Sequence, residues 1–190
     1  MFKKDTTLHP SASRWLTLGS FLYALAIAIM CFAPQFPDGT ESTPGVFYVG
    51  RLVFLLIPFN SIVNVGEVTS WLQLIKVFLQ NIVNIFLLYP LFLQLILLFP
   101  GLRKTGKILI FGFILSLGIE LTQLVLDYLW NFNRVFEMDD LWTNTLGAYL
   151  AYLTYLWIRS NGSPLAEKVR DFLYRHGSIK LFFKNLYRKS

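Results

Sequence analysis

Ser116, Glu120, Gln123 and Asp127 are spaced by four, three and four residues, and Asp140, Asn144, Gly147 and Ala151 repeat that spacing. Residues so placed share one face of an α-helix. One expected face is therefore a polar stripe, and the other is polar at its start and small thereafter. Glu120 falls inside an apolar run, roughly 10 Å inward of Asp127 at the helical rise of ~1.5 Å per residue. An ionisable group within hydrocarbon costs at least ~2.5 kcal/mol unless it is neutral, paired or hydrated, and so marks a candidate functional site. Carboxyl groups there suit acid–base work, with Glu120 or Asp140 as candidate general base and Arg134 as candidate stabiliser of a phosphate or carbonyl. Arg134 also reads as a counter-charge for Glu120, Asp139 or Asp140, and Asn84 as a third contributor. The candidate ligand-binding set is Asn84, Ser116, Glu120, Gln123, Arg134, Asp139, Asp140 and Asn144. The same residue types have a plainer use: Asn, Gln and Ser join helices within membranes, and Asp139 with Asp140 favours a helix N-terminus.

The elements that must carry these residues are apolar. The chain has 190 residues, of which 55% are hydrophobic and 15% charged, a balance that suits a membrane solvent better than water. Four spans of a transmembrane bundle are expected, at 15–33, 77–99, 108–130 and 140–158. Pro34 with Pro37, Asp38 and Gly39 closes the first, and Pro100 with Gly101 closes the second, which Pro90 should kink. Lys3, Lys4 and Arg14 precede the first apolar run, which is too long for a signal core, so an uncleaved span is expected. Residues 49–65 are apolar but carry Arg51, Pro58, Asn60 and Asn64, which predicts an interfacial or re-entrant segment. The expected fold class is all-α.

Seventeen lysines and arginines fall mostly on one side of these spans: three before the first, three between the second and third, and eight after the fourth. Reading that side as cytoplasmic places both termini there. Basic residues beside apolar spans report topology, so nucleic acid is not an expected partner. In the tail, Leu165, Val169, Phe172 and Leu173 recur at helical spacing among charged residues. This predicts a basic amphipathic helix on the anionic cytoplasmic leaflet. Residues 1–160 and 161–190 are thus read as membrane domain and tail. One cysteine, Cys31, excludes an intramolecular disulfide, and His9 and His176 lack partners at ligand spacing. There is no Walker loop, dinucleotide glycine fingerprint, HExxH or GxSxG. No cofactor or metal is expected.

The run Arg134-Val-Phe136-Glu-Met-Asp139-Asp140-Leu-Trp-Thr-Asn144-Thr-Leu-Gly147 resembles a signature of the VanZ-like family of bacterial membrane proteins. Ser116 to Gln123, Leu56-Ile57-Pro58-Phe59 and Asn84 to Pro90 are similar to three further family segments. The chain departs from the pattern at Leu55, Leu88, Phe92 and Glu137, the last standing where aspartate is usual. The resemblance spans roughly 51–156. It implies a multi-pass protein of the bacterial plasma membrane, in a family named for a member associated with resistance to teicoplanin. The leading expectation is an outward-facing polar pocket of Glu120, Gln123, Arg134, Asp139, Asp140 and Asn144. Its ligand would be a membrane lipid, a lipid-linked envelope precursor or a lipoglycopeptide, with a role in glycopeptide antibiotic resistance or cell-envelope maintenance. A lipid-modifying membrane enzyme and a structural accessory bundle are the alternatives.

Overall fold

A computed structural model describes residues 8, 10–35, 45–63 and 71–160. Helix α1 runs Pro10–Phe32, followed by strands β1, Phe47–Val49, and β2, Leu52–Leu55, and the short helix α2, Asn60–Val63. Helix α3, Trp71–Leu98, leads through a 3₁₀ turn, Pro100–Leu102, into α4, Thr105–Trp130; strand β3, Val135–Glu137, then feeds directly into α5, Met138–Ser160. Three of these helices are long and apolar enough to cross a membrane: α1, the Phe78–Leu98 part of α3, and α4. The fourth expected span corresponds to α5, which is not among those three. The expected amphipathic tail at 161–190 lies outside the described residues.

Helix α5 packs against both α3 and α4, while α1 lies mainly on α3. Small residues set how closely these axes approach. A Cβ at Gly147 would lie 2.1 Å from the Ile85 carbonyl oxygen, and one at Gly112 would lie 2.9 Å from the Ala148 Cβ. Glycine at 147 therefore lets the α5 backbone touch that of α3. Leu88, Phe92 and Ile96 of α3, Ile108 of α4 and Ala148, Ala151 and Tyr155 of α5 form the buried core. Leu18, Phe21, Leu25 and Ile29 of α1 are exposed, as are Phe113, Ile114 and Leu121 of α4. Such side chains are stable on a surface only where the solvent is itself apolar.

Proline 90 sits inside α3, which continues through it. At the helix's far end Arg103 donates to the carbonyls of Ile96 (3.0 Å) and Leu97 (2.8 Å) and lies 5.4 Å from the Tyr155 ring centroid. The guanidinium thus satisfies carbonyls that have no partner within the helix.

The all-α expectation needs one correction. Part of the segment expected to be interfacial or re-entrant is a β-hairpin, turned at Gly50 with φ +63°. It extends into a three-stranded sheet, because β2 pairs in parallel with β3, with Phe54 opposite Phe136 and Leu55 opposite Glu137. The rings of Phe47, Phe54 and Phe136 run across its strands at 5.5 and 6.0 Å between centroids. Strands of three or four residues are too short for alternation to announce them. This sheet fixes the loop after α4 and so the start of α5.

Candidate functional site

Helix α4 ends where Asn131 takes a left-handed conformation, φ 56°, and donates its N–H to the Asp127 carbonyl. Asparagine tolerates that conformation better than most residues. The chain then turns through Asn133, φ 53°, and Arg134 into β3. This turn folds the start of α5 back beside α4, so their two four-three-four faces meet.

Ser116 donates from Oγ to the Asp140 carbonyl at 3.0 Å, and Asn144 Nδ2 donates to Ser116 Oγ at 3.0 Å. One turn along α4, Glu120 Oε2 accepts the Glu137 backbone N–H at 3.0 Å. Its carboxyl neighbours that of Asp140. Asp140 Oδ1 accepts from Asn84 Nδ2 of α3 at 2.5 Å. Three helices and a strand thus converge on one carboxyl pair. Glu120 is only 1% exposed, so its charge-bearing end faces protein, away from acyl chains.

The remaining candidates divide. Asp139 Oδ1 accepts the Phe59 N–H at 2.6 Å and the Trp142 indole N–H at 2.9 Å. It pins the hairpin-to-α2 connection, where Phe59 adopts φ 56°, costly for an aromatic residue. Gln123 Nε2 donates to the Cys31 carbonyl at 2.9 Å, turning toward α1. Arg134 is a correction to its expected role. Its donors reach the carbonyls of Met30 (Nη2, 2.8 Å) and Ala33 (Nε, 3.0 Å; Nη2, 2.6 Å) at the end of α1. A helix C-terminus presents unsatisfied carbonyls and partial negative charge, and a forked cation suits it. Arg134 therefore ties α1 to the β3 loop by its hydrogen bonds, and it acts on Glu120 only through its charge, without direct contact.

Two participants outside the expected set are Glu137 and Gln80. Gln80 Nε2 of α3 lies 3.2 and 3.3 Å from the two carboxyl oxygens of Glu137. Gln80 and Asn84 are four residues apart on α3, so one helix face offers amide donors to two neighbouring carboxyl groups. The signal for Glu137 lay in the motif itself, where it replaces another acid three residues before Asp140. Nothing in the sequence marked Gln80. Among the described residues no grouping of His, Cys, Asp and Glu is arranged to hold a metal ion.

Burial pushes the Glu137 carboxyl up to about 8, helped by the negative charges of Asp140 and Asp139 and opposed by the Gln80 hydrogen bond. The folded chain thus keeps a proton that the unfolded chain releases above 4.5, the ordinary value. Stability from this group is full below 4.5 and is lost as pH rises through about 8. Thermal unfolding of the purified protein should show that fall, and Glu137→Gln should flatten it across the same window. An unchanged slope in the variant would show that Glu137 is not the group responsible.

Fold and cluster together define a multi-pass helical membrane protein in which acidic and amide side chains of three helices meet beside a small sheet. A family model described as VanZ/LLP1 matches residues 20–159, and the chain belongs to that family. No curated protein and no solved structure matches the chain.

Proposed function

We propose that this is a bacterial plasma-membrane protein whose cluster around Glu120 and Asp140 receives the polar head of an amphiphile. The amphiphile is a membrane lipid, a lipid-linked envelope precursor or a lipoglycopeptide, and the outcome is teicoplanin-type resistance or envelope maintenance. In this reading α5 is a fourth span and both termini are cytoplasmic, as the distribution of lysine and arginine supports. The β-sheet and the α4–α5 junction then face outward.

The observation that carries the reading is the placing of Glu120. It lies within a helix apolar enough to span a membrane, is 1% exposed, accepts the Glu137 N–H and neighbours the Asp140 carboxyl. Keeping an ionisable group at such depth needs dedicated partners, and that arrangement favours function over filler. Gln80, the amide that reaches Glu137, is exposed on α3, and from that edge the acyl part of a ligand would lie along the helices.

Glu120→Gln keeps the shape of the side chain and can still accept the Glu137 N–H, but cannot supply a negative charge. It should abolish the resistance or envelope phenotype of cells expressing the protein while membrane insertion and abundance persist. A full phenotype in the variant would remove the cluster from the account and leave the accessory-bundle reading.

A second reading is favoured by the two neighbouring carboxyl groups of Glu120 and Asp140, an arrangement suited to acid–base work. Glu120 or Asp140 would act as general base on an envelope lipid. Purified protein incubated with extracted membrane lipids and followed by lipid mass spectrometry separates the two: turnover lost in Glu120→Gln supports chemistry, and an unchanged lipid profile supports binding.

A further inference from the structure

The cluster is lined by acceptors, and this bears on what kind of head group fits it. Glu120, Asp139 and Asp140 bring three carboxyl groups to the start of α5, Glu137 adds a fourth, and Asp127 lies farther along the same face of α4. Arg134, the cation in the same loop, has its donors on carbonyls of α1. Two buried oxygens of this region have no hydrogen-bond partner: Asn144 Oδ1, in a residue 3% exposed, and Asp127 Oδ2, in a residue 1% exposed. Asn144 is joined through Ser116 to Asp140, so its free acceptor belongs to the cluster itself. A buried acceptor without a donor costs about 1–3 kcal/mol, and a donor brought by a ligand recovers it.

The carboxyl groups facing α3 are meanwhile capped by neutral amides. Gln80 reaches both Glu137 oxygens at 3.2 and 3.3 Å, long for such bonds, and Asn84 caps Asp140. A charged donor forms stronger bonds to a carboxylate than an amide does and can displace it. A phosphate brings mainly acceptors to a site whose unfilled buried group, Asn144 Oδ1, is itself an acceptor, whereas a protonated amine brings three donors.

We infer that the amphiphile recognised here carries a protonated amine, which enters beside Gln80 and donates hydrogen bonds to Glu137, Asp140 and the unfilled Asn144 acceptor. The inference rests on the amphiphile-binding reading and narrows it to cationic, donor-bearing head groups. Arg134 has no part in binding a phosphate in this account.

The test uses the full chain in nanodiscs of phosphatidylcholine, offered dodecylammonium, dodecyl phosphate or dodecyl maltoside at matched concentrations. Bound amphiphile is counted by native mass spectrometry. Dodecylammonium should bind at least tenfold more tightly than dodecyl phosphate, and Glu137→Gln and Asp140→Asn should each reduce that preference. The wild-type comparison decides even if a variant does not fold. Equal or tighter binding of the phosphate overturns the amine inference and leaves the amphiphile reading standing. Binding of none of the three overturns both. An ammonium preference that survives in both folded variants places the site elsewhere and also overturns the inference.

Discussion

Gly147→Ala should be the most damaging single-methyl change in the protein. The added Cβ would meet the Ile85 carbonyl oxygen at 2.1 Å and the carbonyl carbon at 3.1 Å. Both atoms belong to helix backbone, so no rotamer change relieves the clash and the α3–α5 pair must separate. Alanine gains up to ~1 kcal/mol of helix propensity over glycine, whereas overpacking of this kind costs roughly 1–3 kcal/mol and occasionally more. The clash wins because it falls on backbone at 2.1 Å, the severe end of that range, and leaves a net loss of about 2 kcal/mol once the propensity gain is subtracted. Because Asn84 lies beside Ile85, separation also withdraws the amide from Asp140, and function should fail with stability. Gly118→Ala in α4 is the matched control: nothing lies within 4 Å of its added Cβ, so propensity alone acts and stability is kept or slightly raised. Thermal unfolding in detergent measures both. Equal behaviour of the two variants would contradict the close α3–α5 contact.

Arg134→Ala should release the end of α1. Three charge-assisted hydrogen bonds from its guanidinium hold the Met30 and Ala33 carbonyls. Their loss from a half-buried site amounts to ~3 kcal/mol in total. The other hydrogen bonds that tie α1 and the residues just after it to the rest of the fold are Gln123 to the Cys31 carbonyl, the Gln35 N–H to the Phe132 carbonyl, Asn133 to the Gln35 carbonyl, and Tyr23 to the Leu87 carbonyl. Only Ser20, Ile27 and Cys31 of this helix are buried. Cys31, 8% exposed, is therefore a built-in reporter. In Arg134→Ala it should react at least tenfold faster with a small membrane-permeant maleimide. Arg134→Lys should be intermediate, since an ammonium cannot reproduce the forked contact. Unchanged Cys31 reactivity in Arg134→Ala would show that α1 is held by other means.

The contrast between these two positions shows what could be read from the chain alone. Helical spacing brought Ser116, Glu120, Asp140 and Asn144 onto facing surfaces, because a 3.6-residue period fixes which side chains share a face whatever surrounds them. Gly147 was legible as a close-approach residue for the same reason. The partner of Arg134 was not legible. Carboxylates can be seen in a sequence, but carbonyls left open at a helix C-terminus cannot, and the latter took the guanidinium. The sheet was hidden too: Phe54 and Phe136 pair in parallel across some eighty intervening residues, and strands so short carry no period of their own. Gln80 entered the site only through the register in which α3 packs on α5, which depends on the Gly147 contact.

The central claim is that the polar face of α4 bearing Glu120 is turned onto α5. Disulfide formation between Ser116→Cys and Asn144→Cys in a Cys31→Ala background tests this in native membranes, since Ser116 lies one turn from Glu120 and its Oγ is 3.0 Å from Asn144 Nδ2. The pair should cross-link rapidly under mild oxidation, while Ile114→Cys with Asn144→Cys, starting from a residue 58% exposed, should not. Cross-linking through position 114 but not through 116 would turn the carboxyl toward lipid and contradict the account.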